Sequence, residues 1–369
     1  MDLFDIDVDA CRGRQKRLLE CMQQHRLDLV IVTLAEHVQW LTGPRFGPVF
    51  EPAALITSQG DVILVAPARR MPDSFAADDV LPYEAQSHST LRNDQREKSS
   101  RVLLDAIVPY HSAQRVGIEF SSCGPHVSHA FSGELVDIEP DLYRLRRRKD
   151  PDELLRLQKA IAATGQMYRK AREIIAPGIS ELEVFNALQT AAVSELGEML
   201  TGTGNDYRCA ARGGPPRNRK VQSGELYILD LGPAFRGYFA DNARTFAVDR
   251  KPTDLQMAAW QKIIEAFQFI EEQACVGKSA QELFHEVQSL LDTSTCGEFN
   301  HHLGHGIGLF PHEAPHLNPN WDDTLELGDV FAAEPGLYAP ELKVGMRLEN
   351  NYLVTESGVE LLSDFPLEL

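Results

Sequence analysis

Four acidic residues and one histidine in the second half of the sequence carry its clearest chemical signal. Asp230 closes the apolar run Tyr227-Ile228-Leu229, and Glu334 closes Val330-Phe331-Ala332-Ala333. A second stretch follows each of them and carries a further carboxylate, Asp241 in the first case and Glu349 in the second. An unpaired charge at the end of a buried run is costly, and carboxylates gathered in a low-dielectric interior must protonate unless a cation offsets them. A pair of divalent ions answers both demands, giving some acids bridging and others terminal places and turning a water into a nucleophile at neutral pH. His305 could add the nitrogen ligand.

His305 lies in His301-His302-Leu303-Gly304-His305-Gly306-Ile307-Gly308, with Pro311-His312-Glu313 close behind. The spacing of His301 and His305 imitates a ligand pair on one helix face, but Gly304, Gly306 and Gly308 favour an extended or turning path. The same glycines resemble a phosphate cradle, yet the strand, GxGxxG and helix order of such a site is absent. For His302 two readings stand side by side, a functional one and an outward or merely packed one.

The elements that must position these groups occur twice. Gly178, Ser180, Glu183 and Phe185 recur as Gly277, Ser279, Glu282 and Phe284 at one constant offset, each set ending one helix and capping another. Gly224 to Gly232 likewise aligns with Gly328 to Gly336, which makes Asp230 and Glu334 equivalent. A turn centred between Phe235 and Arg236 would set Asp230 opposite Asp241 on antiparallel strands, about 5 Å apart. A turn near Glu341 and Leu342 would do the same for Glu334 and Glu349.

A long helix is predicted from Asp150, Pro151 and Glu153, a capping-box arrangement ahead of Leu154, Leu157 and Ile161. Upstream, the pattern predicts a helix around Leu18, Leu19 and Met22. Strands are predicted at Leu27 to Thr33, at Ala53 to Ile56 and Val62 to Val65 around Gly60, and at Val116 to Phe120. The stretch from Met71 to Arg101 reads as polar and irregular. Two domains follow, an α/β domain over 1–147 and an α+β domain with an internal pseudo-duplication over 148–369. The basic run Arg144, Arg146, Arg147, Arg148 and Lys149 reads as a solvated linker face between them.

A formal net charge of -18 excludes nucleic-acid backbones and anionic lipid as partners. The sequence has no run of roughly 20 apolar residues, and its acidic start lacks the pattern of a secretory signal, so a cytoplasmic protein is expected. The six cysteines are scattered and form no CxxC pair, as befits idle thiols.

The ordered set DLGPAFRGYFADNART, HHLGHGIGLFPHE, AEPGLY and MRLENNYLVTESG resembles the pita-bread metallopeptidases, which include Xaa-Pro aminopeptidases and prolidases. The first half is similar in outline to the creatinase-like domain that precedes the catalytic domain in those enzymes. The resemblance implies hydrolysis of the bond between an N-terminal residue and proline, in dipeptides or longer peptides. It implies that Asp230, Asp241, His305, Glu334 and Glu349 hold two metal ions, with Asp241 and Glu349 bridging. It further implies that His301 and His312 stabilise the tetrahedral intermediate or orient substrate, and that Glu334 also moves a proton. Arg347 would support Glu349, Tyr338 would line the pocket, and the protein would be a homodimer. Oxygen-rich ligation suits manganese, while zinc, cobalt or iron could also bind.

The chain departs from that family in one loop. Peptidases of this group carry a further substrate-contacting histidine shortly before the first metal aspartate, and here no histidine occurs between His129 and His285. Arg217 or Arg219 would supply a replacement contact to a substrate carboxylate. The missing histidine also admits a peptide-binding protein of the same fold without activity, and a metal-free amidinohydrolase of the creatinase type is a third reading.

Overall fold

Leu29-Val30-Ile31-Val32 has no polar side chain on either face, as suits a strand covered on both sides. It forms strand β1 (Leu29–Val32) at the heart of the first sheet in the computed structural model, which describes residues 3–204 and 206–369. The chain divides into two units, 1–146 and 147–369. In the first, β1 pairs antiparallel with β2 (Ala53–Thr57). The sheet continues through β3 (Val62–Pro67) to β4 (Asp79–Tyr83) on one side, and through β5 (Arg115–Ile118) to β6 (Glu134–Asp137) on the other. Helix α1 (Val8–His25) is capped by the Asp7 carboxylate and buries Leu18 and Met22.

The stretch from Met71 to Arg101, read above as irregular, contains β4 and the start of helix α2 (Gln95–Ile107). β4 is an edge strand with one buried residue, Tyr83, so little apolar alternation marks it. The buried stripe of α2 is Gln95, Ser99, Leu103 and Ile107, a helical spacing half made of polar residues.

The second unit builds one motif twice. Helices α3 (Pro151–Ile174) and α4 (Glu181–Leu196) precede strands β7 (Leu226–Leu231) and β8 (Asn242–Ala247). Helices α5 (Asp254–Gln273) and α6 (Ala280–Leu291) precede a five-stranded sheet. Its strands are β9 (Gly304–Gly306), β10 (Glu313–Leu317), β11 (Val330–Ala333), β12 (Asn350–Thr355) and β13 (Gly358–Leu361), in the order β10-β9-β11-β12-β13. The caps repeat as the sequence predicts: Ser180 Oγ accepts from Glu183 N and Ser279 Oγ from Glu282 N, both at 3.2 Å. Upstream, the Glu153 carboxylate accepts from Asp150 N at 3.0 Å and Pro151 fills the first turn of α3. Ile263 and Phe267 of α5 and Leu283 and Val287 of α6 share one core with Phe331 and Tyr352 of the sheet. Full burial of each such side chain contributes about 1.5–3 kcal/mol.

The basic run is not a solvated face. Arg144 and Arg148 are exposed, but Arg146, Arg147 and Lys149 are buried. Arg147 pairs with Asp329 at 2.6 Å, and Lys149 Nζ meets Glu313 Oε1 at 2.6 Å. Both partners lie far along the sequence, so local composition could not reveal them.

Candidate metal centre

The two hairpins that carry the acids have different registers. In the first, Leu231 faces Asn242 and Asp230 faces Ala243. Arg236 and Gly237 both take left-handed backbone, with φ of 49° and 94°, so the turn closes between them, one residue later than predicted. Asp230 and Asp241 are therefore diagonal rather than opposite. A shift of two residues keeps a side chain on the same face, so the expected convergence survives. In the second hairpin, Ala333 faces Asn350 and Gly336 faces Arg347, which brackets Glu334 and Glu349 as the predicted opposite pair. The hairpins join edge to edge: Glu349 N donates to Ala243 O at 2.9 Å, and Thr245 Oγ1 to Arg347 O at 2.9 Å.

His305 arrives on β9, between β10 and β11, and the extended path of the glycine-rich run is what the sequence predicts. A Cβ at Gly304 would lie 1.9 Å from Ala332 O, and one at Gly306 2.1 Å from Ala314 O. Close strand approach accounts for these glycines, with no need of a phosphate. His305 Nδ1 lies 3.1 Å from Gly306 O, which makes it the protonated nitrogen and leaves the Nε2 lone pair for the cavity. Nε2 stands 3.7 Å from both Asp241 Oδ2 and Glu334 Oε1, too far for hydrogen bonds. The His312 ring stacks on that of His305 at 3.6 Å.

A second chain of hydrogen bonds fixes His301. Arg347 donates from Nη1 to Tyr338 Oη at 3.3 Å, so the phenol proton is free for His301 Nε2 at 3.1 Å. His301 then carries its own proton on Nδ1, 3.8 Å from Glu334 Oε2. Burial, with the nearby Arg347 and His302, pushes the His301 pKa down to about 3, so the ring is neutral. Burial and the neighbouring His312 hold His305 far below its ordinary value, and burial followed by His302 lowers His312.

All of this opens on one cavity of about 390 Å³, lined by Asp230, Asp241, His305, Glu334 and Glu349 together with His301, His312 and Arg347. Burial, then repulsion from Asp230 and Glu334, drives the Asp241 carboxyl well above the usual carboxylate range. Burial, then Asp241 and Asp230, does the same to Glu349. Glu349 Oε2 is a buried oxygen without a hydrogen-bond partner. Donor atoms of His305, Glu334 and Glu349 lie within 4.8 Å of one another, as do those of Asp241, His305 and His312. Acids crowded together, an imidazole lone pair turned inward and an orphaned carboxylate oxygen are what divalent ions would satisfy, so the residues fit such ions.

Of the two readings of His302 the outward one falls: its Nε2 meets Glu334 Oε1 at 2.7 Å, and against burial the hydrogen bond and charge of Glu334 together raise its pKa. Three expectations change. Arg347 holds Asp230 at 2.6 Å rather than Glu349, and it also pairs with Asp206 at 2.9 Å. Tyr338 reaches the site through His301 and Arg347 instead of lining the cavity. Arg217 is turned away, its guanidinium held by the buried Glu181 at 2.6 Å, and Arg219 pairs with Glu225. The cation that the loop does give the cavity is Arg212, which no local signal separated from its basic neighbours.

Residues 156–356 match Metallopeptidase family M24, and residues 14–148 match the Creatinase/Prolidase N-terminal domain. The chain belongs to the M24 metallopeptidases, a family of divalent-metal enzymes, and has the pita-bread fold with a creatinase-like first domain. Among its relatives is the Xaa-Pro dipeptidase of Pyrococcus horikoshii, 26% identical over 370 residues that cover 98% of this chain and 100% of that one. An uncharacterized peptidase of Bacillus subtilis is 30% identical over 267 residues, 69% of this chain and 74% of its own. The solved prolidase of Pyrococcus horikoshii OT3 superposes with a TM-score of 0.81 at 23% identity, covering 97% of this chain and 99% of that one, which shows the shared fold.

Proposed function

We propose that this protein hydrolyses the peptide bond between an N-terminal residue and proline, using two divalent ions held by Asp230, Asp241, His305, Glu334 and Glu349. The observation that carries the proposal is the convergence of both hairpins and β9 on one cavity, with Glu349 Oε2 buried and unpartnered. Family membership and the Xaa-Pro dipeptidase relative support the reaction class. When bound, the ions supply Lewis acidity that polarises the scissile carbonyl and activates water. The chain's own groups do the rest. Glu334, bonded to His302, takes a proton from the attacking water and passes it to the leaving nitrogen. His301, its proton directed to Nδ1, and the neutral His312 donate to the oxyanion. Arg347 fixes Asp230 from behind.

Manganese is the proposed native metal, from the preponderance of oxygen donors. Short proline-containing peptides are the proposed substrates, a homodimer the proposed assembly and the cytoplasm the proposed location, the last supported by six free cysteines. Proline release from a panel of Xaa-Pro dipeptides and longer peptides tests the reading, with Glu349→Ala as the control against contaminating peptidases. Release that disappears in the variant supports it. Metal binding without turnover favours the peptide-binding alternative, which the loop without histidine supports.

A further inference from the structure

The loop before β7 places one cation at the mouth of an acidic cavity. Arg212 lines that cavity and is exposed, and no carboxylate pairs with it among the described residues. Arg347, the other arginine of the lining, is engaged by Asp230 and Asp206. The two arginines thus differ in kind: one neutralises the site, and the other faces what enters it.

Arg212 is also held in place. Its guanidinium carbon lies 3.8 Å from the centre of the Tyr338 ring, and one Nη2 hydrogen goes to Asn300 Oδ1 at 2.6 Å. A guanidinium has five N–H groups, so most of its donors remain for a ligand. Its backbone is pinned as well, since the Arg212 carbonyl accepts from Arg347 Nη1 at 3.3 Å. The next residues fix the loop from below. A Cβ at Gly213 would strike the Asp206 carboxylate at 2.2 Å, and Gly214 N donates to Asp206 Oδ1 at 2.6 Å. Asp206 thereby occupies the space under the loop, and no side chain fits at Gly213 to reach inward. Recognition from this loop falls to Arg212, a preorganised fork suited to a carboxylate.

We infer that Arg212 forms a subsite for the C-terminal carboxylate of a dipeptide substrate, which makes this protein a dipeptidase in preference to an aminopeptidase acting on longer chains. This deepens the Xaa-Pro reading and rests on it. With two divalent ions and Arg347 offsetting the acids of the cavity, Arg212 is the cation of the lining that is left to pair with a substrate carboxylate. In a dipeptide that carboxylate lies one residue beyond the scissile bond, whereas in a longer peptide the same position is a neutral amide.

The test compares Ala-Pro with Ala-Pro-amide in the manganese-loaded wild type, Arg212→Gln and Arg212→Lys. A charge-assisted contact predicts that the acid is favoured over the amide in kcat/KM by about tenfold to a hundredfold. The preference should collapse toward unity in Arg212→Gln and partly return in Arg212→Lys. Because acid and amide are compared within one variant, partial misfolding cancels. An unchanged ratio in Arg212→Gln, or a wild type with no preference, overturns the inference. If no Xaa-Pro substrate turns over, the Xaa-Pro reading has failed by itself. Calorimetry with the reduced-bond analogue of Ala-Pro and its amide then decides on Arg212: an acid preference lost in Arg212→Gln supports the subsite, and equal binding of the two overturns it.

Discussion

Tyr338 sets the tautomer of His301 from outside the cavity, through a chain that begins at Arg347. Tyr338→Phe frees Nε2 to take the proton, and the expected outcome is a fall in kcat of about tenfold with KM little changed. His301→Ala removes the donor itself, for which steady-state kinetics should show a loss of about a hundredfold in kcat. Glu349 gives a pH-dependent prediction. Its folded pKa is raised by burial and by Asp241 and Asp230, so its contribution to stability is present below the unfolded value and is lost as pH rises through the folded one. Metal-free Glu349→Gln should therefore melt higher than the metal-free wild type at alkaline pH. The gap should close as the pH falls, because a protonated Glu349 is electrostatically like Gln; a gap that widens on acidification would contradict this. Asp230 and Glu334 were legible in the sequence because each ends a run too apolar to tolerate it alone, and Asp241 and Glu349 because each lies in the stretch that follows one of those runs. His302 and Asp206 were not, since their partners Glu334 and Arg347 are brought to them only by the fold.

Lys149 and Glu313 tie the start of α3 to the segment that carries His312. Both side chains are nearly inaccessible, at 1% and 7% exposure, so removing one takes away the opposite charge against which a buried ion is set. Lys149→Met is expected to lower unfolding free energy by about 3–5 kcal/mol in urea titrations, whereas Lys149→Met with Glu313→Leu should recover most of the loss. At this scale the sequence revealed the duplicated helix caps, since Ser180 and Ser279 act within three residues of their partners. It also revealed the register of the second hairpin. The first hairpin slipped because the left-handed pair is Arg236 and Gly237, and only the Gly announces itself. Helix α2 escaped notice because half of its buried stripe is polar.

In the whole molecule, the duplicated second unit bears every residue assigned to the centre, from Asp206 to Glu349. On the proposed assignment metal binding there would be coupled to folding, because ions that relieve the repulsion around Asp241 and Glu349 would bind only the assembled cavity. Chelation should lower the melting temperature by about 5 °C or more, as expected for ions present at roughly a hundred times their dissociation constant. The most direct test is a titration of metal-free protein with manganese while proline release from Ala-Pro is followed. The two-ion account predicts a rate that climbs to a plateau at two equivalents per chain and is absent throughout in Glu349→Ala. A plateau at one equivalent, or no proline at any occupancy, would contradict it.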